Sequence, residues 1–141
     1  EIDLCWQLHR RNLKVMYSGK SCVFHLGAGT LEYGNPKKTY LNFRNGLSSI
    51  YKHLNPIELI YKLPARIIID WVAALRFALG NDSANARAIL NAHRDFFDKI
   101  KRDRRKRKEI RKSNPGYSPT GIVKGSVVFS FYVLGKKTFG Q

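Results

Sequence analysis

Three short stretches hold the side chains best suited to chemistry. Glu1 and Asp3 place two carboxylates in the first turn of a helix pattern, Glu1-Ile2-Asp3-Leu4-Cys5-Trp6. A carboxylate there can take a proton as a general base, or simply complement the positive end of a helix. His25 ends an apolar run and meets the turn Gly27-Ala28-Gly29-Thr30. Its imidazole suits a metal ion or an ordinary hydrogen bond at the end of a strand. The third stretch, residues 37–45, reads Lys-Lys-Thr-Tyr-Leu-Asn-Phe-Arg-Asn. Tyr40 and Arg44 lie one helical turn apart and share a face. With Lys38 and Asn45 they make a candidate phosphate contact, because a guanidinium can grip phosphate at two points and helix starts attract anions. The plainer alternative is a solvated basic face with Tyr40 in the core. The Gly-rich turn is not a P-loop, since it lacks the Lys-Ser/Thr ending.

The pattern predicts the elements that must position these groups. Residues 1–11 read as a helix that Asn12 breaks, and residues 14–17 and 21–25 as two short strands. Residues 26–36 read as a Gly-rich loop. A helix starts near Thr39, with Tyr40, Phe43, Leu47, Ile50 and Leu54 on one apolar face. Asn55-Pro56-Ile57-Glu58 starts another, which Pro64 kinks or divides and Gly80 ends. Residues 65–79 are its most apolar part. Asn81-Asp82-Ser83 caps a last helix with Ile89, Leu90, His93, Phe96, Phe97 and Ile100 on one face. Residues 113–121 read as a linker, and 127–134 as a short apolar run of strand or helix type.

The chain carries a net charge of +16, from 26 Lys and Arg against 10 Asp and Glu. Half of that excess sits in residues 99–112. Such a balance attracts phosphate, whether in nucleic acid, lipid headgroups or a nucleotide. No aromatic residue interrupts the basic run, so stacking on bases is not indicated, and no specific nucleic-acid partner is expected. Residues 57–79 include Glu58, Lys62, Arg66, Asp70 and Arg76. Each central charge costs about 2.5–3.5 kcal/mol in a bilayer, which argues against a spanning helix. A helix lying in the membrane interface with Trp71 and Phe77 dipping in, and a helix buried against its neighbours, both fit. Two cysteines are too few for a disulfide framework.

Taken in order, the acidic helix start with Trp6, the histidine before a Gly-rich turn and the Tyr-x-x-x-Arg-Asn helix resemble the C-terminal part of a bacterial family 2 glycosyltransferase, rhamnosyltransferase-like and of GT-A fold. The likeness is strongest over residues 1–54 and extends to 125–128 and 135–139. Ala28 departs from the three successive glycines common there. The resemblance implies an α/β fold, with residues 1–36 ending a Rossmann-like GT-A domain, 37–112 forming a helical membrane-associated extension, and 113–141 a linker and tail. It implies a fragment, inactive alone, whose donor-binding half precedes residue 1. It assigns Glu1 as the base of inverting sugar transfer, Asp3 as an orienting acid, and His25 as a ligand of a divalent metal, Mg or Mn, most of whose ligands lie in the missing half. Lys38, Tyr40, Arg44 and Asn45 would meet diphosphate or acceptor. The implied partners are a nucleotide-sugar donor, a saccharide or lipid-linked acceptor and an anionic membrane surface, at the cytoplasmic face of the cell membrane. The rival expectation is a non-enzymatic basic module that binds nucleic acid or anionic membrane.

Overall fold

The computed structural model describes residues 2–16, 18–22, 24, 32, 34–115, 117 and 135. Its elements are five helices: α1 (Ile2–Arg10), α2 (Pro36–His53), α3 (Pro56–Leu79), α4 (Ser83–Asp98) and α5 (Ile100–Ser113). Among the described residues there is no strand, so the expected α/β arrangement gives way to an all-helical one. A strand needs a partner to satisfy its backbone groups. The described members of the two expected strands have none, and Val15, Met16 and Phe24 stand exposed instead of entering a core. Glu1, His25, the turn at 27–30 and the run 127–134 lie outside the described residues.

Local chemistry sets the helix limits. Asn35 caps α2, its Oδ1 accepting the Lys37 N–H at 2.9 Å, and Pro36 takes the first turn. The cap thus lies four residues before Thr39, because Asn35-Pro36 is the stronger start signal. Asn55 caps α3 in the same way, accepting the Glu58 N–H at 2.8 Å. Pro64 sits inside α3 without ending it. Asn81, at φ +61°, supplies the left-handed turn after Gly80, as Asn12 does at φ +59° after α1. Asp82 caps α4 through the Asn85 N–H. Lys99 breaks the expected long last helix into α4 and α5.

α2 and the α4–α5 pair lie side by side and run the same way. Thr39 meets Asn85 near their starts, and Ser48 meets Asp103 farther on. α3 packs antiparallel on both, with Arg66 over Phe43 and Asp70 against His93. The core between them holds Leu47, Ala74, Ala86, Ala88, Ile89, Ala92 and Phe96. α1 closes the far end, where its Arg10 donates to the His53 carbonyl.

Asn85 joins three segments and is itself buried. Its Oδ1 accepts the Thr39 hydroxyl at 2.5 Å, and its Nδ2 donates to the Gly34 carbonyl and to Asp82 Oδ2, both at 2.8 Å. Removing it orphans buried polar groups, each worth about 1–3 kcal/mol. Asn85→Ala should therefore lower unfolding stability by about 2 kcal/mol in a denaturant titration. A loss below about 0.5 kcal/mol, the size of an ordinary surface change, would contradict this junction.

Candidate functional site

The sequence-predicted groups separate along α2. Asp3 sits at its C-terminal end, where Asp3 Oδ1 meets Lys52 Nζ at 2.6 Å and His53 Nε2 at 2.7 Å. Gln7 donates to Asp3 Oδ2 at 2.9 Å. Tyr40 and Arg44 lie toward the other end, roughly 18 Å away from Lys52 for Tyr40 at 1.5 Å per residue. One site therefore does not contain both.

Partial burial by itself would raise the Asp3 carboxyl. The hydrogen bonds from Lys52 and His53, with their charges, outweigh it and hold the carboxyl at about 2. His53 is pushed below its ordinary 6.5, mainly by burial, which exceeds the pull of Asp3. The pair thus stands as an ionised carboxylate accepting from a neutral imidazole. It borders an open cleft of about 230 Å³ between α1, the end of α2 and α5, which Arg11, Lys106 and Glu109 also line. An acid so fully engaged orients its neighbours; it is poorly placed to take a proton.

At the other end, the Tyr40 hydroxyl donates to Asp95 Oδ2 at 2.7 Å. Arg44 Nη1 donates to the Tyr40 oxygen at 3.2 Å and lies 3.6 Å from Asp95. Its Nε and Nη2 both reach Asn45 Oδ1. Lys99 adds an ion pair at 2.6 Å and, with Tyr40, holds the Asp95 carboxyl below its usual range. Tyr40, Arg44 and Asn45 are brought together as expected, and Lys38 lies half-buried in the first turn of the same helix. Asp95, which sequence reasoning missed, already pairs with Tyr40 and Arg44.

α3 carries the feature on which the sequence leaves two readings open, an interfacial helix and a buried one. Arg66 and Asp70, two of the charges that argue against a spanning helix, both turn inward. Asp70 is 2% exposed, with Arg66 Nε at 2.5 Å and His93 Nε2 at 3.2 Å. The opposite side is apolar along its whole length. Ile57, Ile60, Tyr61, Ile68, Trp71, Val72, Leu75 and Leu79 are each more than half exposed. With the exposed Pro64 and Ala65 between Tyr61 and Ile68, they recur at helical spacing and so form one stripe. Glu58, Lys62 and Arg76 line its border, where Lys62 pairs with Glu58 at 2.5 Å. Phe77, expected to dip into a membrane, lies on the inner side one turn from Ala74 and is half-buried. The signal was in the sequence: Arg66 and Asp70 are out of phase with Ile68 and Leu75.

Among the described residues no group of three His, Cys, Asp or Glu can hold a metal ion. Asp3 and His53 come closest, and the Lys52 ammonium already stands at the carboxylate. Asp70 and His93 have Arg66 in the same role. These residues do not fit a divalent ion.

The α1 junction should loosen in acid. Both groups have folded values below their unfolded ones, so the stability they add is complete above the unfolded values and drains as protons bind. It should fall first below about pH 6.5, as His53 begins to charge, and again below about pH 4, as Asp3 titrates toward 2. Trp6 lies against His53, ring centroids 4.9 Å apart and planes tilted by 51°, and can report this in a Trp71→Phe background. Trp6 emission that stayed constant from pH 8 to pH 2 would contradict the assignment.

Compared with protein-family models, curated proteins and solved structures, the chain matches none of them.

Proposed function

We propose that this chain is the helical, acceptor-side part of an inverting glycosyltransferase, held at an anionic membrane surface by the outer face of α3. The observation that carries the reading is the uninterrupted apolar stripe on that face. A charge-free helical face bordered by Lys62 and Arg76, in a chain of net charge +16, suits a bilayer interface with acidic headgroups. Among the described residues no helix is long and apolar enough to cross a membrane. A second copy of the chain is a poor occupant, because two such cations repel.

Glycosyl transfer is supported by the sequence resemblance. Glu1 takes the proton of the acceptor hydroxyl as its oxygen displaces nucleoside diphosphate from the sugar. Asp3 orients the helix start through Lys52 and His53. A lipid-linked acceptor at the cytoplasmic membrane face gives the membrane contact a purpose, since the acceptor then stays in the plane in which the enzyme is held.

Two experiments test the two halves. Co-sedimentation with vesicles containing acidic lipid should show binding, and Ile68→Glu with Leu75→Glu should weaken it by about tenfold or more while helix content is kept. Unchanged binding would defeat the docking. So would failure to bind vesicles together with a salt-steep affinity for DNA, which would favour the nucleic-acid module instead. In the whole transferase, Glu1→Gln should lower turnover by about 10²–10⁴-fold with donor affinity kept, and Asp3→Asn should do less. Full activity in both variants would end the catalytic assignment.

A further inference from the structure

The apolar surface does not stop at α3. Leu90 and Phe97 were expected in the core with His93, yet they are 55% and 50% exposed. They stand three and four residues from His93, whose ring faces Asp70 of α3. Residues at those spacings share one side of a helix, so this edge of α4 borders α3 and widens the apolar strip. Arg87 and Arg94 follow next around α4. Each lies three or four residues from Leu90, and two turns, about 10 Å, separate them. Both are exposed. Arg94 has only Asp98, at 3.9 Å with both side chains mostly in solvent, a pair of little strength. Arg87 has no partner among the described residues.

Resting on the docking reading above, we propose that Arg87 and Arg94 grip the phosphates of acidic phospholipids when the α3–α4 face settles on a membrane. The apolar rows of α3, with Leu90 and Phe97, enter the acyl boundary, and the two guanidinium groups stand at headgroup level beside them. Their long stems can lie along the apolar edge while their heads stay among phosphates. Guanidinium binds phosphate at two points and is weakly hydrated, so it suits this position better than an ammonium. The charge complementarity is local. Arg107 of α5 differs in setting: it donates to the Tyr51 carbonyl and lies over the Tyr51 ring, so it belongs to packing, while Arg104 and Arg105 of α5 are exposed away from the apolar strip.

The test compares Arg87→Gln/Arg94→Gln with Ile68→Glu in vesicle partition. The vesicles are phosphatidylcholine alone or with one-third phosphatidylglycerol. A basic residue at such a surface is worth about fivefold in partition, so the double variant should bind the anionic vesicles about thirtyfold more weakly. It should bind the neutral ones as the unchanged chain does. Arg87→Lys/Arg94→Lys should restore most of the loss, which shows that charge rather than folding is at issue. Added inorganic phosphate at millimolar level should not compete, as the site is built around a membrane-held headgroup. If the double Gln variant keeps full anionic binding while Ile68→Glu loses it, the role of the two arginines is overturned and the α3 docking stands. If Ile68→Glu also binds unchanged, the docking reading itself falls. Competition by inorganic phosphate would overturn the assignment to lipid.

Discussion

The constraint on which the rest depends is the buried carboxylate of Asp70. An ionised group 2% exposed must be paired, because an unpaired buried charge costs several kcal/mol. Arg66 pairs it from one turn earlier on α3, and His93 reaches it from α4. This fixes the rotation of α3 about its own axis. Any rotation that hid Ile68 and Leu75 in the core would carry Asp70 out of reach of His93 and bring Arg66 off the Phe43 ring. The same pairing therefore holds α3 to the bundle and turns its apolar stripe to the outside.

A pattern follows for the chain's scarce acids. Asp3, Asp70, Asp95 and Asp103 each join one helix to another, to Lys52 and His53, His93, Tyr40 and Ser48 respectively. Of ten acidic residues, four are thus engaged between helices. Asp70 and Asp103 are almost wholly withdrawn from solvent. The outward-facing surface keeps the chain's large cationic excess, because withdrawn acids are largely matched by withdrawn bases such as Arg10, and that excess bears directly on its choice of partner. Steering toward an anionic surface scales with that exposed charge.

Much of the helical part was legible because its signals are local. Asn55-Pro56 and Asp82 start their helices as their side-chain caps require, and Asn12 ends the first. The errors came from what periodicity cannot see. The split at Lys99 has no breaker residue to announce it. The expected sheet rested on strand runs of four or five residues, too short to be secure without a partner. Leu90 and Phe97 share a phase with core residues, and only the place of α3 shows that they fall at the edge. Among the candidate groups, Tyr40, Arg44 and Asn45 meet because one helix carries them. Asp95 was not foreseen, since its meeting with Tyr40 depends on how α2 lies on α4. Glu1 and His25 lie outside the described residues.

The most direct test is where Trp71 sits when the chain meets a membrane. It stands 58% exposed in the middle of the α3 stripe. In a Trp6→Phe background it is the single tryptophan of the chain. With anionic vesicles, its emission should move to shorter wavelength, lipids brominated on the upper acyl chain should quench it, and aqueous iodide should lose access to it. Emission left unmoved, with full iodide access and no quenching by brominated lipid, would contradict the account.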